Sequence, residues 1–161
     1  KDSIVSALAG HFTIADAEVP DAVARMEEDA RSFRKELSRV QDRLFELEAA
    51  QLLAEAERIG SVRVVARVFD DRSAEAVKRL ALHLTSQGQC VALMASRGDK
   101  LQVAFARSED VRYDMAALLR EVAPIFGGRG GGQPQMAQGG GADAAHIEEA
   151  LRQAVNLLKE R

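Results

Sequence analysis

A chain of 161 residues has room for one ordinary domain with an extension, or for two very small domains. Apolar residues at 47% and charged residues at 29% exclude a disordered chain, while 4% aromatics, with no Trp and one Tyr, argue against a base-stacking surface for single-stranded RNA. The net charge of −3 hides an asymmetry: residues 1–60 hold eight basic and thirteen acidic side chains, residues 61–161 fourteen and twelve, so an anionic partner is expected at the second half.

The lone Cys90 excludes a disulfide framework and a cysteine zinc site, and fits a reducing, cytoplasmic setting. No stretch approaches the roughly 18 uninterrupted apolar residues of a membrane span, and no basic-then-apolar leader opens the chain. It starts at Lys1 without a Met, as a piece of a longer protein would.

Residues 1–15 (KDSIVSALAGHFTIA) read as a short helix folding back on the long helix after it. Past Pro20, with Asp21 as a first-turn anion, apolar residues recur at Val23, Met26, Ala30, Phe33, Leu37, Val40, Leu44 and Leu47. The spacing alternates three and four, a heptad repeat over four units. Val23, Ala30, Leu37 and Leu44 take the a positions and the other four take d. Flanking pairs Asp29 with Arg34 and Arg43 with Glu48 are opposite in charge, as across a parallel two-stranded seam; Glu36 with Gln41 is not charged on both sides. The helix is expected to run to Ile59 and stop at Gly60, an arm of about 60 Å. It cannot bury its stripe on itself, so a partner is required, either a second copy or a helix outside these residues. Self-association through the eight stripe residues is the expectation.

After Gly60 the period shortens. Residues 61–69 (SVRVVARVF) alternate as a strand, and Ser73 caps a helix with Ala76, Val77, Leu80, Ala81 and Leu84 on one face, closing at Gly88. Two apolar strands, 90–95 and 101–106, flank the turn Arg97-Gly98-Asp99. Asp114 caps a helix through Met115, Leu118, Leu119 and Val122 that Pro124 ends. A last helix runs from Asp143 to about Lys159, with Ile147, Ala150, Leu151, Ala154 and Leu158 inward. The fold class is therefore α/β: a helical coiled-coil arm over residues 1–60, then a small β-α-β-β-α-loop-α domain over 61–161.

Residues 127–141 (GGRGGGQPQMAQGGG) hold eight glycines. Glycine costs backbone entropy wherever it is ordered, so an ordered loop this rich needs positive φ angles or close approach of a partner. Free backbone N–H groups in tight turns form concave anion sites, this run leads to a helix start at Asp143, and Arg129 adds a positive charge. A plain flexible linker is the bland alternative. No GK[ST] ends the run and no strand precedes it, so neither a phosphate loop nor a dinucleotide fingerprint fits.

This run, preceded by LLREVAPIF, resembles the signature of the C-terminal domain of alanyl-tRNA synthetases and related alanyl-tRNA editing proteins. FARSEDVRYDMAALLREVAP leans toward the editing branch, and QLLAEAERIGSVRVVARV is similar to the arm-to-domain junction of the same families. The resemblance implies a non-catalytic module that binds tRNA, specifically tRNA for alanine, away from the acceptor end and helps the protein dimerise. It implies RNA contacts from among Gly127, Gly128, Arg129, Gly130, Gly131, Gly132, Gln133, Gln138, Gly139, Gly140 and Gly141, some of them structural rather than contacting. The same domain is appended to DHH phosphoesterases, where the run ends in a substrate-holding histidine; the corresponding residue here is Gln133, and no DHH triplet occurs. A substrate-binding half of such a phosphoesterase, acting on nucleotides or short oligonucleotides, is the rival reading, and a purely structural assembly domain a third.

His11, His83 and His146 lie far apart, none paired at i, i+4 and none near Cys90, so the paired histidines and cysteine of the family's zinc editing site are missing. Ser108-Glu109-Asp110 is an acidic turn without a partner cluster. No metal or cofactor is expected on this chain, and its chemistry, if the parent is an editing hydrolase or a ligase, belongs to another part.

Overall fold

The computed structural model describes residues 2–13 and 15–160; Lys1 and Ile14, part of the expected first helix, lie outside the described residues. The chain forms two compact units that divide between Arg43 and Leu44, inside one continuous helix.

In the first unit, helix α1 (Asp2–Phe12) precedes a 3-10 turn (Asp16–Glu18). Ser6 Oγ donates to the Asp16 carboxylate at 2.8 Å, and the Ala15 amide donates to Glu18 at 2.9 Å, which satisfies an otherwise orphaned helix-start donor. Helix α2 (Val19–Ala54) then begins two residues before the expected start, with Pro20 in the first turn, where its missing N–H costs nothing. Along α2 the stripe residues Val23, Met26, Phe33, Leu37, Val40, Leu44 and Leu47 are all exposed. That is the pattern of a coiled-coil helix without its partner.

The second unit is a six-stranded sheet with helices on both faces. Strand β1 (Glu57–Ile59) turns at Gly60 into β2 (Val62–Asp70). Helix α3 (Ala74–Thr85) crosses to β3 (Cys90–Arg97), parallel to β2, and β4 (Leu101–Arg107) returns antiparallel. Helix α4 (Met115–Val122) and a 3-10 helix (Ala123–Phe126) lead to β5 (Gly128–Gly132) and β6 (Met136–Gly141), and helix α5 (Ile147–Glu160) ends the described chain. The strand order is β1-β2-β3-β4-β6-β5.

The α/β class and the long helix stand, with three corrections. Helix α2 stops at Ala54 rather than Ile59, because residues 57–59 pair with β2 across Gly60 at φ 60°. That three-residue strand carries no alternation long enough to see. The last helix opens with a 3-10 turn (Ala144–His146) before α5. Third, residues 128–141 are a β-hairpin of the sheet and not a loop.

Alternation along the strands builds two cores. Val64, Val91, Leu93, Val103 and Phe105 face α4, the second 3-10 helix and α5. Val65, Ala92, Met94, Ala104 and Ala106 face α3 and the end of α2, which contributes Ala49, Leu52 and Leu53. There Arg72 donates to both carboxylate oxygens of Glu48 at 2.9 and 2.8 Å while its guanidinium lies 4.0 Å from the Phe69 ring centre. A bidentate pair stacked on an aromatic is a stronger fastening than a lone surface ion pair. The expected caps are in place: Ser73 accepts from the Ala76 amide, Asp114 from Ala117 and Asp143 from Ala145.

Cys90 is fully buried, and burial pushes its thiol up to about 11. The thiolate is the reactive form, so Cys90 is inert in the native state. Iodoacetamide at pH 8 should leave the native chain unlabelled and label it readily in urea. Comparable labelling rates in the two conditions would contradict the packing described.

Candidate nucleic-acid interface

The hairpin's register sorts its residues by face, since cross-strand neighbours point the same way. Gly128 and Gly141 stand opposite one another, as do Gly130 and Gly139, and Gly132 and Ala137. Ala137 belongs to the core under α4 and α5, so these six look inward. On the outward row, Arg129 faces Gly140, which faces Gln102 of β4; Gly131 faces Gln138, which faces Ala104.

For most of these glycines the missing side chain is a packing or backbone requirement. A Cβ on Gly128 would overlap the Phe126 ring, and one on Gly130 would overlap Leu119 of α4. Gly132, Gly139, Gly140 and Gly141 would each meet backbone atoms at less than 3 Å, and Gly127 turns at φ 58°. Gly131 is the exception: a Cβ there meets nothing within 4 Å and its φ is not positive. Seven of the eight glycines are thus required by the fold itself.

The expected anion site of free amides leading into a helix start is not what the structure builds. Strand β6 lies between β4 and β5, so its backbone groups are taken up on both sides. Gln133 and Met136 exchange backbone hydrogen bonds at 2.8 and 3.1 Å, which sets the alternation down the hairpin. Gly131 and Arg129 therefore bond toward β6, and only the amides of Gly128, Gly130 and Gly132 point off the sheet edge. The helix start at Asp143 is closed as well, by the Asp143 side chain and its contact with His146, whose hydrogen bond to the carboxylate lowers the Asp143 pKa.

What remains open is the outward face. Helix α3 covers Ala104, buried in its core, and beyond that cover lie Gln102, Gly140, Arg129, Gln138 and Gly131. Arg129 and Gln138 are exposed, and neither side chain makes a hydrogen bond or ion pair with the described residues. Gln102 was not among the sequence candidates. A polar residue in the strand LQVAFAR was the available signal, and only the register shows that it shares a row with Arg129. Gln133 sits exposed in the hairpin turn, away from that row.

Two other cations near the hairpin are engaged: Arg97 with Glu148 at 2.7 Å, Arg107 with the Pro134 and Ser108 carbonyls at 3.2 and 3.0 Å. Among the described residues no group of three or more His, Cys, Asp or Glu side chains is close enough to hold a metal ion, and no helix is long and apolar enough to cross a membrane. His83 stacks on Phe45 with ring centres 6.1 Å apart.

Residues 61–160 match the DHHA1 domain family. The chain belongs to that family. The alanine–tRNA ligase of Methanoculleus marisnigri is 37% identical over 142 residues, 88% of this chain and 15% of the relative. Among solved structures, the C-Ala domain from Aquifex aeolicus alanyl-tRNA synthetase is 32% identical with a TM-score of 0.58, covering 65% of this chain and 95% of that one. RecJ from Thermus thermophilus in complex with Mn2+ has a TM-score of 0.54 at 14% identity, covering 94% of this chain and 26% of that one, which is a likeness of fold alone. The chain spans 15–19% of the length of the first curated relatives it matches. The resemblance read from the glycine run and its flanks therefore holds at the level of the family.

The sorting of glycines has a direct test. Gly130→Ala should cost about 1–3 kcal/mol by overpacking against Leu119, whereas Gly131→Ala should stay within about 0.5 kcal/mol of the parent. Urea midpoints of the two variants measure this. Equal losses would place Gly131 among the structural glycines.

Proposed function

We propose that this chain is a tRNA-binding and self-associating C-terminal module of an alanyl-tRNA ligase or alanyl-tRNA editing protein, acting on tRNA for alanine and performing no chemistry itself. Residues 1–60 serve as the arm and residues 61–161 as the binding domain. The observation that carries the reading is the outward face of the hairpin, where an unpaired Arg129 stands in line with Gln102 and beside Gln138 and the sterically unconstrained Gly131. Arg and Gln supply the donors that phosphate and ribose oxygens accept, and the absent Cβ lets a backbone lie close. The inward glycines, from Gly127 and Gly128 through Gly139 and Gly141, support that face by holding the hairpin flat. The similarity to alanine–tRNA ligases over most of the chain supports tRNA as the partner. A DHH-type nucleotide site is less well supported, because Gln133 occupies the histidine position.

Few charges line the face, so binding of tRNA is expected at micromolar affinity with a salt slope of about two to four phosphates. Arg129→Ala should weaken it by about 1–2 kcal/mol without changing the fold. Filter binding at two salt concentrations reads both. Wild-type affinity in the variant would move the site away from the hairpin.

The exposed stripe of α2 is proposed to pair with a second copy. Leu37→Asp with Leu44→Asp should yield monomers, since each leucine buried in such a seam contributes about 1.5–3 kcal/mol. Light scattering that finds the parent chain already monomeric would rule out the pairing.

A further inference from the structure

Resting on the self-association proposed above, we infer that two copies pair in parallel and in register along α2. The charges beside the stripe set the direction, and the separation of the stripe from the face that docks on the sheet permits it.

In parallel register each Asp29 faces the Arg34 of the other copy, twice by symmetry, and Glu36 faces the neutral Gln41. No like charges meet. In the antiparallel arrangement that matches a against d layers, Glu36 faces Glu36 and Arg34 faces Arg34 at the centre of the seam, against one favourable pair type, Asp29 with Arg43. Like charges at such distances destabilise about as much as opposite charges stabilise, so the antiparallel form gains nothing from its flanks. Asp29 and Arg34 are exposed and make no ion pair with the described residues, so both are free to meet a second copy. Glu48 is not free in this sense, being held by Arg72. The seam's charge selectivity therefore rests on Asp29 and Arg34.

Sterically the parallel form is open. In the second unit, Leu44 and Leu47 are 59% and 57% exposed, while Ala49, Leu52 and Leu53 are buried on the sheet. At 100° per residue the two sets lie roughly 165° apart around the helix. Within the second unit, docking on the sheet therefore leaves Leu44 and Leu47 open to a second copy. Leu44 and Leu47 belong to the second unit, so the seam reaches that unit.

The test uses the full chain, whose own Cys90 is buried, carrying Val23→Cys, Leu44→Cys or Leu47→Cys, with one partner tagged so that mixed dimers resolve by mass. On mild oxidation, Val23→Cys and Leu44→Cys should each cross-link to itself, and a mixture of Val23→Cys with Leu47→Cys should give no mixed dimer. A mixed dimer without self-linked species overturns the direction. A monomer in light scattering with no cross-link in any mixture overturns the self-association as well, which separates the two failures. Arg34→Gln reads the same question without cysteine. It should raise the dimer dissociation constant several-fold by removing the Asp29 contact. A lowered constant, as expected from relief of an Arg34–Arg34 clash, overturns the parallel arrangement.

Discussion

The backbone of β5 and β6 lies against the Phe126 ring and the Leu119 side chain so closely that no Cβ fits between them, and the far half of the sheet depends on that approach. Phe126 and Leu119 are fully buried in the core, and on the hairpin side glycine backbone covers them. If the hairpin carried ordinary residues on its inward row, α4 and the 3-10 helix would have to move outward by a side-chain layer. Phe105 and Val103, in the adjacent strand under the same helices, would lose their cover. Glycine in strands is ordinarily a weakness, because it forgoes cross-strand contacts and backbone restriction. Here the contact is made by the backbone itself, and two strands of nearly bare main chain are held by helices on one side.

That arrangement has a consequence for the other side. A hairpin pressed flat against α4 presents a flat outward surface, and α3 stops short of it at Ala104. The residues left in the open are few and chemically simple: one guanidinium, two amides and two glycines. A surface of this kind has no apolar cleft to enclose a small molecule and no aromatic plate on which a base could stack. It suits an extended polyanion that lies across it, with positioning contacts to phosphate and sugar and little reading of sequence.

The sequence made most of this fold legible where side chains carry the pattern. Period and caps together located α3, α4 and α5, with Ser73, Asp114 and Asp143 each accepting the expected amide. The heptad stripe was equally plain, since exposed leucines at alternating spacings of three and four have no other simple reading. The hairpin was invisible because strand recognition relies on β-branched alternation and glycine supplies none. Its composition pointed to a loop, while its actual reason, close approach to Phe126 and Leu119, needs residues from a helix earlier in the chain. The site suffered from the same blindness. Composition could mark all eight glycines and Arg129 as candidates but could not separate the seven that packing requires from Gly131. Nor could it bring in Gln102, whose membership depends on the β4–β6 register.

Helix α2 shows how one element serves two partners without conflict. Its last turns bury Ala49, Leu52 and Leu53 on the sheet, and the Glu48–Arg72 pair fastens them in orientation. Its stripe points the other way and stays exposed through Leu47. Had the apolar residues fallen on one face, docking on the sheet would have consumed the seam, and the helix would be a simple edge of the domain. The bidentate pair keeps the two faces apart in another sense as well. By holding Glu48 inward, it takes that carboxylate off the flank of the exposed stripe.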